Sequence, residues 1–262
     1  MARLDVVLIE RGFAASRQRA QELIAGAQIY VDGKVCTKAS RQVDEHTEIT
    51  MTGSGLAYVG RGGLKLEKAL ALCRISLSGC VCMDIGASTG GFTDCMLQNG
   101  AAKVYAVDVG HDQLAQQLRM DARVVNLEGT DIRKLSEDAV SEPVDFISVD
   151  VSFISLRLIL PSVVRFLRRD GMASLLIKPQ FEAGREQIGK HGLVKSQKAH
   201  IRVLEQLLQA FSENGLSLRM LCPSPIRGGT GNVEYLAVVT RSHEAPVAVD
   251  VYQITADAFS QK

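Results

Sequence analysis

Residues 81–91, "VCMDIGASTGG", run from a short apolar segment into an acidic residue, Asp84, and then into three glycines within six positions. The segment "GCVCMDIG" reads as a buried strand, and "GGFTDCMLQNG" returns as a helix closed by Asn99-Gly100. A glycine-rich turn from a strand into a helix is where doubly wound sheets hold their ligands, outside the carboxyl ends of the strands. The spacing here is D-x-G-x-x-x-G-G, through Asp84, Gly86, Gly90 and Gly91. The dinucleotide fingerprint G-x-G-x-x-G is missing because position 88 is Ser, and no Lys-Ser/Thr pair follows to make a P-loop. Close backbone approach without a pyrophosphate cradle suits S-adenosylmethionine, whose amino-acid end is a zwitterion. A nicotinamide dehydrogenase is the main rival for such a domain.

Outward from this loop the same alternation continues. "AKVYAVDVG", "ARVVNLEGTD", "PVDFISVDVSF" and "GMASLLIKPQF" read as further strands. "LKLEKALALC", "HDQLAQQLRM", "LRLILPSVVRFLRRDG" and "KSQKAHIRVLEQLLQAFSENG" read as helices, with Pro161 near a first turn or at a kink. Continuous apolar strands alternating with helices predict a parallel sheet covered on both faces. The chain then ends on two strands, "GLSLRMLCPSP" and "NVEYLAVVTR", joined by a loop, which predicts an antiparallel last strand. The tail from about 243 carries no signal.

The N-terminal part has another character. "RLDVVLIERG" and "ASRQRAQELIAG" read as two short helices, stopped at Gly12 and Gly26, with Ser16 as the N-cap of the second. Asp32-Gly33 between apolar segments is a strong hairpin signal. The glycine-rich "MTGSGLAYVGRGG" (51–63) reads as a linker. The expected organisation is a small α+β domain over 1–56, a linker over 57–62 and an α/β domain over 63–262.

Composition narrows the function classes. The 262 residues include 30 Lys and Arg against 29 Asp and Glu, so the chain as a whole is not a basic nucleic-acid binder. The first quarter is locally basic, through Arg3, Arg11, Arg17, Arg19, Lys34, Lys38 and then "RGGLKLEKALALCR", as phosphate contacts would require. Six cysteines show neither CxxC pairs nor zinc spacing, and several sit in apolar runs; no metal site and a reducing, cytoplasmic setting are expected. No signal-peptide core or membrane-spanning run is visible, so no membrane association is expected.

Acidic residues recur at strand ends. Asp108 closes "YAVDVG" and is placed to accept both ribose hydroxyls of an adenosine. Asp131, in "EGTDIR", is placed to accept from an adenine amine, and Asp150 ends "SVDVSF". Gly86, Gly90 and Gly91 with Ala87, Ser88, Thr89 and Phe92, together with Asp84 and Val109, complete the expected cofactor set. Lys178, in "LLIKPQFE", leaves a strongly apolar strand one strand from Asp150. Desolvation there favours the neutral amine of a general base, whereas a neighbouring carboxylate favours the ammonium. Lys65 and Glu234 do not stand out singly from surface charges.

Lys65, Asp150, Lys178 and Glu234 match in chain order the K-D-K-E set of the FtsJ-like (RrmJ-type) RNA ribose 2′-O-methyltransferases. "YVGRGGLKLEKAL", "DIGASTGGFTD", "VDVGHDQL", "SVDVSFISL", "IKPQFEAG" and "SPIRGGTGNVEYL" resemble more closely still the signature segments of the TlyA family, the haemolysin A-like ribosomal RNA methyltransferases. Residues 3–50 resemble the S-four-type RNA-binding domain that precedes the methyltransferase in that family. The resemblance implies a Rossmann-like fold with a mostly parallel seven-stranded sheet, S-adenosylmethionine as cofactor and ribosomal RNA or ribosomal subunits as partner. It also implies methylation of a ribose 2′-hydroxyl, of cytidine by family likeness. Lys178 would take the hydroxyl proton, Asp150 would hold Lys178, and Lys65 and Glu234 would orient the hydroxyl. Arg3, Arg11, Arg17, Arg19, Lys34, Lys38 and Arg61 would contact RNA phosphates. In "REQIGKHGLVKS" (185–196), His191 stands where another glycine is expected. The competing readings are a noncatalytic ribosome-associated RNA binder and, from the family's older name, a membrane-active haemolysin.

Overall fold

A computed structural model describes residues 2–14, 16–44, 46–51, 57–242 and 244–260. They form two compact units, Met1–Ala57 and Tyr58–Lys262.

In the first unit, helices span Leu4–Glu10 and Arg17–Ala25. The Ser16 hydroxyl accepts from the Arg19 N–H at 3.2 Å and starts the second helix. Strands Ile29–Val31 and Lys34–Val35 pair antiparallel around Asp32 and Gly33, whose φ values of 53° and 73° make the tight turn. Beyond the expected hairpin, a third strand, Ile49–Met51, pairs on the other side of Ile29–Val31. Leu4, Leu8, Leu23, Ile24 and Ile29 form the buried core of this unit.

The second unit begins earlier than the expected linker allows. Tyr58 packs into its core, its hydroxyl donates to Glu67 at 3.0 Å, and the Val59 N–H donates to Asp94 at 2.7 Å. Seven strands make one sheet: β1 Val81–Ile85, β2 Lys103–Asp108, β3 Val124–Glu128, β4 Val144–Val149, β5 Leu167–Ile177, β6 Ser217–Pro223 and β7 Tyr235–Thr240. Their order is β6-β7-β5-β4-β1-β2-β3. β7 runs antiparallel to both neighbours and the other pairings are parallel. The order reverses between β1 and β4, so the loops after these two strands open at the switch point.

Helices α1 Gly63–Cys73 and α2 Gly91–Gln98 cover one face through Leu66, Leu70, Phe92 and Met96. Helices α3 Leu160–Phe166, α4 Gln197–Glu213 and α5 Val251–Ser260 cover the other through Leu160, Val163, Val203, Leu207, Val251 and Ala258. Successive residues of β1 divide between these layers, Cys82 on one side and Met83 and Ile85 on the other, as strand geometry dictates.

Three local expectations need correction. The helix expected over 111–120 is a single turn, Gln116–Arg119, because the Gln113 and Leu114 N–H groups donate to Glu128 and hold the preceding residues as a loop. The helix expected to run through 156–171 stops at Phe166. Leu167 already pairs with Val144, and the register shifts before Met172 around Asp170, at φ 62°. The tail is not featureless, since Asp250 accepts from the Tyr252 and Gln253 N–H groups and starts α5. Among the described residues no helix is long and apolar enough to cross a membrane.

Candidate active site

The site lies at the switch point, where the loops after β1, β2 and β4 converge. In the first loop Gly86 has φ 87°, and a Cβ there would overlap the Asp150 carbonyl of the loop after β4. Gly90, at φ 95°, lies under the side chains of Leu114 and Leu118. A Cβ on Gly91 would come within 3.1 Å of the Gly63 nitrogen. These glycines let protein segments close on one another; the cradle they shape follows from that. Ser88 adopts φ 47°, and its N–H donates to Asp108 Oδ2 at 2.8 Å.

Asp84, expected among the cofactor contacts, lies beneath the loop with both oxygens engaged by protein hydroxyls. It is fully buried, with Oδ2 accepting from the Thr93 hydroxyl at 2.7 Å and Oδ1 from the Ser148 hydroxyl at 2.9 Å. Burial pushes its carboxyl up to about 7, partly opposed by these two hydrogen bonds. Its role is to tie β1 to α2 and β4. Gly90 is likewise covered by Leu114 and Leu118 instead of lining a cavity.

A cavity of about 530 Å³ opens beside the loop, within the range of small-ligand clefts. Gly86, Ser88, Asp108, Val109, Asp131 and Asp150 form part of its wall. Asp108 accepts from the Ser88 N–H through Oδ2 and from the Gly110 N–H at 2.7 Å through Oδ1, which fixes its orientation and leaves lone pairs for two hydroxyls. Asp131 also reaches the wall, but Arg133 Nε and a terminal nitrogen hold its two oxygens at 2.9 and 2.7 Å. The Arg133 guanidinium keeps this carboxyl below its ordinary value. Asp131 therefore remains an anion braced by its own loop, and an adenine amine would have to share it with Arg133. Val109 is 70% exposed and Phe153 91% exposed on this wall. Phe153 was not anticipated; its signal was an aromatic residue directly after "VDVS". Paired acceptors, apolar side chains for a planar base and open backbone at the glycine loop fit an adenosine bearing an amino-acid tail.

A second cavity, of about 240 Å³, shares Gly86, Ser88, Asp150 and Ser152 with the first and adds Arg61 and Lys178. Ala87, Thr89, Gly91 and Phe92 line it as well, so the loop presents its later residues to this side. Lys178 Nζ lies 2.6 Å from Asp150 Oδ1 and donates to the Ser152 hydroxyl at 2.9 Å. The contact with Oδ1 lacks the alignment of a hydrogen bond, so the pair is held by charge.

The other two members of the four-residue set also meet. Lys65 Nζ donates to Glu234 Oε2 at 2.6 Å, with side-chain exposures of 9% and 3%. Ile177 of β5 and Tyr235 of β7 are register partners, so Lys178 and Glu234 are the next residues on adjacent strands. A Cβ on Gly228 would overlap the Glu234 carboxylate, which explains the glycine-rich loop before β7. The expectation that Lys65 and Glu234 resemble surface charges is corrected. They form a buried pair, while Lys178 and Asp150 line the cavity.

In the loop after Lys178, His191 sits at φ 64° followed by Gly192 at 73°, which accounts for the glycine expected at 191. Asn232 fastens this loop, accepting from the Val194 N–H at 3.1 Å and donating to the Gly192 carbonyl at 2.9 Å.

The basic residues of the first unit divide into two groups. Arg3 and Arg17 clamp the buried Asp5 at 3.0 Å each, and Arg3 is the leading cause that holds this carboxyl far below its ordinary range. Arg11 donates to the Thr47 and Asp44 carbonyls, and Arg19 pairs with Glu22. Arg3, Arg11 and Arg17 thus tie segments of the unit together, while Arg19 braces its own helix. Lys34 and Lys38 are exposed on the hairpin and the segment after it.

Comparison with known proteins follows this division. The family model described as FtsJ-like methyltransferase matches residues 58–241, and the S4 domain matches residues 2–49. The chain is 46% identical over 235 residues to YqxC of Bacillus subtilis (strain 168), a candidate rRNA methyltransferase, covering 89% of this chain and 84% of that one. It is 43% identical over 235 residues to the 16S/23S rRNA (cytidine-2′-O)-methyltransferase TlyA of Mycobacterium tuberculosis (strain ATCC 25618 / H37Rv), covering 89% and 88%. A solved structure of a hemolysin candidate from Streptococcus thermophilus superposes with a TM-score of 0.79 at 42% identity, covering 99% of this chain and 96% of that one.

Proposed function

The chain belongs to the FtsJ-like methyltransferase family, and on that premise we propose that it transfers a methyl group from S-adenosylmethionine to a ribose 2′-hydroxyl of ribosomal RNA, cytidine being the nucleoside. The observation that carries this reading is the Lys178–Asp150 pair, whose Asp150 lines both cavities and whose Lys178 lines the second.

The bound cofactor supplies an electrophilic methyl on a sulfonium. Asp108, oriented by two N–H donors, would receive the ribose hydroxyls of the cofactor's adenosine, and Val109 and Phe153 on the same wall would flank its base. Asp150 holds Lys178 as the ammonium, and once Nζ has released a proton to solvent it takes the proton of the acceptor 2′-hydroxyl while that oxygen gains the methyl. The buried Lys65–Glu234 pair sets the end of β7 beside Lys178 and so acts through position. The small unit, expected over 1–56, grips RNA phosphates through Lys34 and Lys38, with its arginines Arg3, Arg11, Arg17 and Arg19 adding positive charge and Arg61 contributing at the second cavity. The site then works on ribosomal subunits in the cytoplasm.

The experiment is methyl transfer from radiolabelled S-adenosylmethionine to ribosomal RNA and to isolated subunits, comparing the unaltered chain with Lys178→Ala. Transfer should vanish while circular dichroism and melting temperature hold. Undiminished transfer by the variant would overturn the assignment of the base.

A further inference from the structure

Lys178 leaves β5 after a run of buried residues, and its side chain is 12% exposed. Two groups touch its nitrogen, Asp150 Oδ1 at 2.6 Å and Ser152 Oγ at 2.9 Å. Beyond its bond to carbon, Nζ has three tetrahedral directions: three N–H groups as an ammonium, or two and a lone pair as an amine. A single partner leaves the nitrogen free to turn about the line to that partner. Ser152 takes one of these directions by an aligned hydrogen bond, and the pull of the Asp150 charge, which has no such alignment, restricts turning about it, so the open direction lies on the side away from both groups.

We propose that Ser152 is a positioning residue for methyl transfer, which with Asp150 aims the remaining direction of Lys178 Nζ at the acceptor hydroxyl; this rests on the reading of Lys178 as the base. Three features beyond the contact itself support it. Ser152 lines both cavities, at the boundary where cofactor and acceptor have to meet. The loop that carries it is fastened to the segment that carries Lys178. Glu182, four residues after Lys178, accepts from the Ser155 hydroxyl at 2.6 Å and the Leu156 N–H at 2.7 Å. The Phe181 ring lies 6.0 Å from Nζ and presents no oxygen acceptor that could replace Ser152.

The test is steady-state methylation of ribosomal RNA by Ser152→Ala and Ser152→Thr, with the cofactor Kd measured by calorimetry. Ser152→Ala should lower kcat about tenfold, the size of one hydrogen bond to a charged group. Its cofactor Kd and melting temperature should match those of the unaltered chain. Ser152→Thr, which keeps a hydroxyl, should recover most of the rate. An unchanged kcat in Ser152→Ala, a loss confined to cofactor affinity, or a loss that Thr does not restore would overturn the proposal. Absence of transfer by the unaltered chain would overturn it together with the functional reading, so the two failures are distinguishable.

Discussion

Lys65 and Glu234 are 169 positions apart and meet at 2.6 Å with both side chains buried. Removing one partner of such a pair strands a charge in a medium that solvates it poorly. Lys65→Met and Glu234→Gln should each cost roughly 3–5 kcal/mol. Lys65→Met/Glu234→Gln should lose less than the sum of the separate losses, since no charge is then left alone. Urea denaturation of the four proteins checks this; strictly additive losses would refute the buried pairing.

Gly86→Ala tests the glycine loop. A side chain at φ 87° is strained, and its Cβ would overlap the Asp150 carbonyl. The loops after β1 and β4 must then separate. The variant should melt lower and bind S-adenosylmethionine at least tenfold more weakly, a loss of about 1.4 kcal/mol. Calorimetric titration together with a melting curve would show both effects.

Asp84 makes stability depend on pH. Its carboxyl lies at about 7 in the folded chain against an ordinary value of 3.8, so the folded state holds the proton more tightly. A raised acid is harmless below the unfolded value. It costs stability progressively as pH rises from about 4, and fully above about 7. Asp84→Asn keeps polar contact with Thr93 and Ser148 without the charge. Its melting temperature relative to the unaltered chain should rise between pH 5 and pH 8; a constant difference across that range would contradict the assignment.

Ser174, fully buried on β5, has a hydroxyl without a hydrogen-bond partner among the described residues. Burying an unpaired hydroxyl is unfavourable, and alanine removes it with little loss of volume. Ser174→Ala should leave the melting temperature unchanged or raise it, and a drop of several degrees would point to a partner for this oxygen.

In the first unit, fold and RNA contact should separate by residue. Arg17→Ala frees one side of the buried Asp5 and should lower the stability of this unit. Lys34→Ala and Lys38→Ala should leave stability alone and weaken RNA binding at every sequence tested. Each should reduce the slope of log affinity against log salt by about one. Filter binding at several salt concentrations distinguishes the two classes.

Much of this architecture was legible in the sequence because its signals are local. Ser16, Asp32-Gly33 and the apolar run 81–85 each act on the backbone within a few residues. Misreadings occurred where a distant group overrode local pattern. Glu128 holds 113–114 out of a helix, and pairing with Val144 turns Leu167 into strand. Asp84 misled because an acid before a glycine loop reads as a ligand contact, although strand alternation points it toward α2. The α5 helix did have a local signal, Asp250 as cap with Val251, Thr255 and Ala258 on one face, but its apolar face is thin.

The α/β class and the glycine loop at a strand end follow from the sequence alone, since periodicity and turn chemistry are written along the chain, and resemblance to the family pointed to the four residues of the proposed set. Tertiary structure alone decided that the four residues divide into two ion pairs. It placed one pair buried and the other at the cavities, Asp150 on both walls and Lys178 on the second, and it brought Ser152 onto Lys178. The reason is that β4, β5 and β7 are neighbours in the sheet although they are distant in the chain, so burial and pairing at their ends follow from strand order and register.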